Sequence, residues 1–274
     1  MDAKVFGMKK LLLAIALCVS LVVACATSPT GRRQLMIVSE DSAISASKEA
    51  YVEMLKPYAQ KGKIDNDPAL KKRVYGITGR LIAQAIKIRP ETEKWEWSIK
   101  IIDDPKTVNA WAMAGVKMAL YSGLVIQIKP TDDELAQVLG HEISHALAKH
   151  SAEKMSVGMA SSIGVVAVGI AADRKGLALT GAALAAALAV QKPNSRAAES
   201  EADRIGIELA AKAGYDPRAA ITLWQKMAQV GGKGPPQFLS THPSPDNREK
   251  KLAEYVPEMM PYYEQKGKRP VYNL

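Results

Sequence analysis

The feature that most constrains this chain is the segment at residues 139–146, which reads LGHEISHA. Residues four apart on an α-helix lie on one face, so His141 and His145 can direct two ring nitrogens at one metal ion. Glu142 lies beside them, where its carboxylate can take a proton from a water molecule that the metal activates. The spacing therefore predicts a helix that binds zinc and carries a general base. The alternative is a helix with two solvated histidines.

The residues around this segment favour the metal-binding interpretation. Thr131 followed three residues later by Glu134 is the pattern of a capping box, so a helix is expected to begin there. The apolar residues that would form its buried side are Leu135, Val138, Leu139, Ala146 and Leu147. His150 would lie on the same helix but out of register with the histidine pair. It is expected at the surface, or behind a metal ligand without binding the metal.

The composition permits a globular fold and does not indicate nucleic-acid binding. The chain has 274 residues, of which 47% are hydrophobic, and can form one large domain or two small ones. Only two residues are phenylalanine, and small residues are common, which favours helix-rich packing. The net charge of +9 is spread along the chain, so a solvated basic surface near an anionic membrane or lipopolysaccharide is expected. No motif or basic-aromatic stripe predicts a nucleic-acid partner.

The first 25 residues have the pattern of an export signal. Lys9 and Lys10 precede an apolar run at residues 11–23, as in a secretory signal peptide. The run ends in Val-Val-Ala-Cys, which resembles the bacterial lipobox and implies cleavage before Cys25 and acylation of its sulfur. An ordinary signal peptide and an uncleaved anchor are the alternatives. Because Ala26 and not Asp follows the cysteine, the resemblance also implies sorting to the outer membrane.

This reading divides the chain into three parts. Residues 1–24 are expected to be a lipoprotein signal peptide, residues 25–38 a lipidated tether, and residues 39–274 the zinc-binding domain. Cys18 and Cys25 both lie in the first 25 residues, so no disulfide is expected within the folded body.

The periodicity of the following residues predicts an α+β fold that is mostly helical. Helices are expected from Ser39 to about Pro57 and from Asp67 to Pro90. Alternation of apolar and polar residues then predicts strands near residues 95–101, 109–113 and 116–121. A small antiparallel sheet should therefore precede the metal-binding helix. An exposed strand beside the metal could pair with a substrate backbone, and ordinary packing is the alternative.

Residues 155–190 are rich in Ala, Gly, Ser and Val. Two apolar runs are separated by Asp173-Arg174-Lys175-Gly176. The pattern fits a pair of small-residue helices near the active site that could form a lid. It also fits a membrane-inserted hairpin, although both runs are at or below the length of a span.

A catalytic zinc site needs a third protein ligand, and residues 196–204 supply the candidates. Glu199 and Asp203 are four apart and share a helix face. Glu201 points about 200° away from Glu199 on that helix. Glu199 could ligate zinc while Asp203 accepts the second N–H of a ligating histidine. Glu201 as the ligand, or a charged face that only forms salt bridges, are the alternatives.

His-Glu-x-x-His followed by Glu-Ser-Glu-Ala-Asp resembles the metallopeptidase family of the HtpX heat-shock proteases and CAAX prenyl endopeptidases. With its lipobox and without clear membrane spans, the chain is most similar to the periplasmic lipoprotein branch, the LoiP- and BepA-type proteins. The similarity covers most of residues 34–255, including NAWA at 109–112 and YSGL at 121–124. It implies a zincin-like fold with one Zn²⁺ per chain, Glu199 as the third zinc ligand and Asp203 as the orienting acid.

The resemblance also implies a role for His242, which lies in the sequence Thr-His-Pro at residues 241–243. This histidine would bind the substrate carbonyl or oxyanion, or close the site as a ligand to zinc. The alternative is an ordinary loop histidine.

The implied function is a zinc-dependent endopeptidase, attached to the outer membrane through the lipid on Cys25 and facing the periplasm. Its implied substrates are unfolded or misassembled envelope proteins. Two other functions stay open. One is a chaperone-like assembly factor for outer-membrane proteins with a closed or structural zinc site, and the other is an integral membrane protease.

Overall fold

The computed structural model describes residues 25–171, 194–230, 236–243 and 247–274. The strands are β1 (Cys25–Thr27), β2 (Arg33–Leu35), β3 (Ser98–Ile102), β4 (Ala110–Met113) and β5 (Lys117–Tyr121). The longer helices are α1 (Glu40–Ala59), α2 (Pro68–Ile88), α4 (Asp132–Leu147), α5 (His150–Ala171), α6 (Arg196–Lys212), α7 (Ala219–Gln229) and α9 (Arg248–Tyr263). Two short helices, α3 (Ser122–Ile128) and α8 (Gln237–Thr241), and a 3₁₀ turn at Pro90–Lys94 complete the described elements. The predicted α+β, mostly helical zincin-like fold is confirmed.

Capping residues set the starts of the first two long helices, as the sequence predicts. The Ser39 side chain accepts a hydrogen bond from the Ser42 backbone N–H at the start of α1. Asp67 caps α2 in the same way, with Pro68 in the first helical position. A capping residue satisfies backbone N–H groups that have no partner inside the helix, which is why these helices begin where they do.

The small sheet has the strand order β3-β5-β4. The β4–β5 hairpin is antiparallel, as expected, and turns at Gly115 and Val116, which both have positive φ. The expectation of a wholly antiparallel sheet is corrected at β3, which pairs parallel with β5 from Ser98↔Lys117 to Ile102↔Tyr121. Residues 103–109 make this parallel pairing possible because they lead from β3 to β4 and leave the position between these two strands for β5. The second strand of the hairpin then lies beside β3.

Helix α4 lies at the centre of the molecule and is buried from Glu134 to Leu147. It packs on α6, and two glycines allow the close approach. A Cβ added at Gly206 would lie 3.0 Å from both Cα and N of His141, and one at Gly140 would lie 3.0 Å from the Gly206 carbonyl oxygen. The close contact brings residues 199–203 beside the histidines of α4.

Strands β1 and β2 form an antiparallel pair, here called the N-terminal hairpin (residues 25–35). The hairpin and the residues after it contact the domain within the range expected as a tether. The Gln34 side chain donates to the Ala148 carbonyl at 2.7 Å, and the Val38 backbone N–H donates to Ser156 Oγ at 2.9 Å. The packing against the domain therefore begins before residue 39.

Helix α5 contains the first part of the small-residue region, up to Ala171. Residues 172–190 of the proposed lid or membrane hairpin lie outside the described residues. Within the part of the chain that the structure describes, no helix combines the length and apolar character needed to cross a membrane.

Candidate metal centre

Four buried side chains meet between α4, α6 and the residue after α8. They are His141, His145, Glu199 and His242, here called the ligand cluster, and each offers one donor atom within 4.8 Å of the others. His141 Nε2 lies 3.1 Å from His145 Nε2 and 3.2 Å from Glu199 Oε2. His145 Nε2 is 3.4 Å from Glu199 Oε1. The structure thus brings together the three residues predicted to hold the metal.

The donor set and its spacing fit a zinc ion. Imidazole nitrogen and carboxylate oxygen are common zinc ligands, at about 2.0–2.2 Å. Tetrahedral donors at that distance lie roughly 3.3 Å from one another. The separations among the three predicted ligands, 3.1 Å, 3.2 Å and 3.4 Å, agree with this spacing. The spacing is therefore compatible with a zinc ion held by these three side chains, with the two histidines facing different oxygens of Glu199.

His242 belongs to the same cluster and is buried, unlike an ordinary loop histidine. Its Nδ1 lies 3.2 Å from His141 Nε2 and 3.1 Å from Glu199 Oε1. The ring stacks on Phe238 with a centroid distance of 4.5 Å, which holds it against α8. His242 therefore contacts two of the predicted ligands.

Glu142 points into the same space and is fully buried. Its Oε1 is 3.3 Å from His242 Nε2, and among the described residues this oxygen has no hydrogen-bond partner. Burial raises the pKa of Glu142, although the nearby His242 and His141 oppose that rise. A carboxylate with a free oxygen and a raised pKa suits a general base.

Burial and charge affect the two α4 histidines differently. For His141 burial disfavours the charged form, but the Glu199 and Asp203 carboxylates outweigh it and raise its pKa to about 9. For His145 burial dominates and lowers the pKa well below the usual value. Burial also opposes ionisation of Glu199, yet the surrounding histidines lower its pKa strongly. The same carboxylates therefore favour the protonated form of His141 more strongly than that of His145.

Asp203 lies where the sequence places it, behind His141. Its Oδ1 is 3.0 Å from His141 Nδ1, so it can accept that N–H and fix the tautomer with Nε2 facing the cluster. The sequence predictions did not assign a role to Arg248, which donates to the same Asp203 oxygen at 2.5 Å. The Arg248 guanidinium also lies 3.4 Å from the Trp224 ring centroid. The sequence feature that could have indicated a role for Arg248 is its position shortly after His242.

Glu201 faces away from the ligand cluster, as its position on the helix predicts. It is buried and lies 3.1 Å from His150 Nε2 through Oε2. Burial raises its pKa, but His150, Thr30 and Arg32 hold that pKa well below the usual range. The geometry therefore does not favour Glu201 as the third metal ligand.

His150 lies behind a predicted metal ligand, one of the two places that the sequence leaves open, but it is not on the same helix as the histidine pair. Helix α4 ends at Leu147, and Lys149 adopts a left-handed conformation with φ of 59°, so His150 begins α5. The change of direction turns His150 inward, where only 3% of it is exposed. It contacts His145 from outside the cluster, with 2.8 Å between the two Nδ1 atoms.

A narrow pocket opens beside the cluster, and strand β4 forms one wall of it. Trp111, Ala112 and Met113 line the pocket together with Glu142 and His145. β4 is an edge strand that pairs only with β5 among the described strands. Its residues are more buried than the exposed strand that the sequence predicts. The strand nevertheless has the position expected for backbone pairing with an extended peptide.

The sequence was compared with known families and proteins. A family model described as peptidase family M48 matches residues 68–256. The chain is 34% identical to a mitochondrial metalloendopeptidase OMA1 of Schizosaccharomyces pombe over 231 residues, covering 84% of this chain and 65% of that protein. It is 33% identical to a putative beta-barrel assembly-enhancing protease of Vibrio cholerae over 210 residues, covering 73% of this chain and 41% of that protein. The human OMA1 metalloendopeptidase is 31% identical, with 84% of this chain and 45% of that protein covered. The chain thus spans less than two thirds of the length of these relatives.

Proposed function

The chain belongs to peptidase family M48, and on that premise we propose that it is a zinc-dependent endopeptidase. The observation that carries the proposal is the ligand cluster with the buried base Glu142 beside it. His141, His145 and Glu199 would hold the zinc, which agrees with the spacing of their donor atoms. Zinc in this position would act as a Lewis acid on the scissile carbonyl and lower the pKa of the attacking water.

The protein's own residues perform the proton transfers and the positioning. Glu142 takes the proton of the attacking water and delivers it to the leaving amine. Asp203 keeps the His141 ring oriented towards the cluster. The edge of β4 pairs with the substrate backbone and directs it past Glu142. His242 has one of two roles. It closes the site as a ligand to zinc before substrate arrives, or it moves aside and binds the carbonyl oxygen of the substrate.

We further propose that the enzyme acts in the bacterial envelope, on unfolded or misassembled envelope proteins. The name of the Vibrio cholerae relative, a putative beta-barrel assembly-enhancing protease, supports this substrate class. The lipobox-like sequence before Cys25 supports an outer-membrane lipoprotein that faces the periplasm. Two or more acyl chains on that residue would make the attachment stable.

The replacement Glu142→Gln tests the catalytic proposal because it keeps the size of the side chain and removes the base. Cleavage of unfolded casein by the purified protein should fall by roughly 10²–10⁴-fold. Zinc content should be unchanged. Glu208→Gln, on the outer part of α6, is the matched control and should cleave like the wild type. Equal cleavage by wild type and Glu142→Gln, or none by the wild type, would contradict the proposal.

A chaperone-like assembly factor is the second candidate, and the position of His242 favours it. Four buried donors around one point match a structural zinc site, which has no open position. A structural site does not need a base, so the free oxygen of Glu142 favours the enzyme. Envelope function at the wild-type level in Glu142→Gln cells, with no casein cleavage by either protein, would favour the chaperone.

An integral membrane protease is the third candidate and would use residues 155–190 as spans, of which residues 172–190 lie outside the described part of the chain. Replacing Cys25 by Ser would remove the proposed acylation site. If that variant leaves the membrane fraction without detergent, lipid attachment is supported. Continued dependence on detergent would favour the integral membrane protease.

A further inference from the structure

We propose that His150 and Glu201 position the zinc ligand His145, and that Arg32 of the N-terminal hairpin completes this support. The proposal rests on the proposed zinc site. His141 has Asp203 directly behind it, whereas no carboxylate among the described residues contacts His145 Nδ1. The ring of His150 occupies that place, and the Glu201 carboxylate lies behind His150.

His145, His150 and Glu201 form a series of side-chain hydrogen bonds, and its geometry admits one consistent set of histidine tautomers when His145 ligates zinc. His145 turns Nε2 to the ligand cluster, so its proton is on Nδ1, which lies 2.8 Å from His150 Nδ1. His150 Nδ1 must then accept, and its own proton is on Nε2, 3.1 Å from Glu201 Oε2. Each ring nitrogen has a partner in this assignment. A ligating histidine held in this way presents a fixed tautomer and a fixed ring plane to the metal.

All three side chains are buried, with 4% of His145, 3% of His150 and 5% of Glu201 exposed. A buried polar atom without a partner is unfavourable, so rotation of the His150 ring away from His145 and Glu201 would destabilise the protein. The left-handed turn at Lys149 sets the direction of His150. Gln34 of the N-terminal hairpin holds that corner through its hydrogen bond to the Ala148 carbonyl.

The N-terminal hairpin also holds Glu201, the last residue in this series of hydrogen bonds. Thr30 Oγ1 donates to Glu201 Oε1 at 2.6 Å, and Arg32 Nε donates to Glu201 Oε2 at 2.9 Å. The other two guanidinium nitrogens of Arg32 donate to both oxygens of Glu153, each at 2.6 Å. Glu201 therefore accepts bonds from two segments at once. The residues that follow Cys25 thus support a metal ligand that they do not touch.

The test measures zinc affinity and not only activity. The zinc dissociation constant of the purified protein is obtained by competition with a chromogenic chelator. The visible spectrum of the cobalt-substituted protein reports the ligand geometry. His150→Ala should raise the dissociation constant roughly 10- to 100-fold and shift the cobalt bands, because partners of this kind tune metal affinity by that amount. Circular dichroism and thermal unfolding establish that each variant is folded.

Conservative variants separate positioning from general stability. Glu201→Gln keeps an oxygen that can accept from His150 and should retain most of the affinity, whereas Glu201→Ala should lose it. Arg32→Ala should also weaken zinc binding, while Arg33→Ala, its exposed neighbour in β2, should not. If His150→Ala does not fold, Glu201→Ala against Glu201→Gln and Arg32→Ala against Arg33→Ala decide the question.

Two outcomes overturn the inference. One is a folded His150→Ala protein with wild-type zinc affinity and cobalt spectrum. The other is equal zinc affinity in Glu201→Ala and Glu201→Gln, together with no difference between the two arginine variants. Both leave the proposed function intact if the wild type binds zinc and cleaves casein. A wild-type protein that binds no zinc would instead contradict the proposed function itself.

Discussion

Arg248 and Asp203 form a buried ion pair directly behind the ligand cluster, with Arg248 Nη2 2.5 Å from Asp203 Oδ1. The same Asp203 oxygen lies 3.0 Å from His141 Nδ1. Arg248 therefore holds the carboxylate that holds a predicted zinc ligand. The guanidinium lies over the Trp224 ring, and both residues of the pair are buried.

Replacing Arg248 by Met should lower the free energy of unfolding by about 3–5 kcal/mol, because it leaves Asp203 buried without its cation. Arg204→Met is the control, since Arg204 pairs with Glu258 at the surface and such pairs contribute about 0–1 kcal/mol. Urea denaturation of the zinc-loaded proteins measures both values. Equal losses in the two variants would show that the buried pair does not contribute in this way.

The close contact between α4 and α6 predicts opposite effects for two glycines. Gly206→Ala places a methyl group against the backbone of His141, which cannot move aside cheaply, and should destabilise the protein by about 1–3 kcal/mol. Gly76→Ala on α2 has open space around it and should stabilise by up to about 1 kcal/mol. Thermal or chemical unfolding distinguishes them. A neutral Gly206→Ala would mean that the helices can separate at little cost.

Zinc affinity should depend on pH because His141 holds a proton in the metal-free protein. The pKa of this group is raised to about 9, so zinc must displace its proton at neutral pH. The observed affinity should therefore increase as the pH rises towards 9, by roughly tenfold per unit for one proton released, and then level off. Chelator competition at several pH values, with proton release measured in weakly buffered solution, tests this. A zinc affinity that does not change between about pH 7 and about pH 9 would contradict the prediction.

His242→Ala should distinguish the two roles left open for that residue. Because its Nδ1 lies 3.1 Å from Glu199 Oε1, within the spacing expected of zinc ligands, we expect it to ligate zinc in the absence of substrate. The variant should then bind zinc more weakly and alter the spectrum of the cobalt-substituted protein. Unchanged metal binding with a lower kcat would instead favour a role on the substrate oxyanion. Ser240→Ala, two residues earlier on the exposed side of α8, serves as the control.

Much of the local architecture could be predicted because its causes lie within a few residues. The capping box at Thr131 and Glu134 is present, and helix α4 carries His141 and His145 on one side as their spacing requires. The opposed directions of Glu199 and Glu201 also follow from the helix period. The same spacing indicated Asp203 as the partner of a ligating histidine, and the family resemblance added His242. The structure places both against His141.

The prediction that His150 lies on the same helix as the histidine pair is wrong, although its place behind His145 is one that the sequence allows. A left-handed Lys149 separates α4 from α5. Nothing in the residue type predicts this conformation, since lysine disfavours positive φ. Similarly, the parallel pairing of β3 depends on which strand of the hairpin lies beside it, and alternation within a strand carries no such information.

By itself the sequence determined the helix that carries His141, Glu142 and His145, its cap, and the face of α6 that meets it. These properties follow from helical spacing and from the chemistry of individual side chains. The tertiary structure alone decided which distant groups support the site: Arg248 lies 45 residues from Asp203 along the chain, and Arg32 lies 169 residues from Glu201. Such contacts depend on close packing, including the glycine contact between α4 and α6, and on the requirement that buried polar groups find partners. Helical periodicity describes neighbours within a turn or two, and it cannot specify which surfaces meet after the chain has folded.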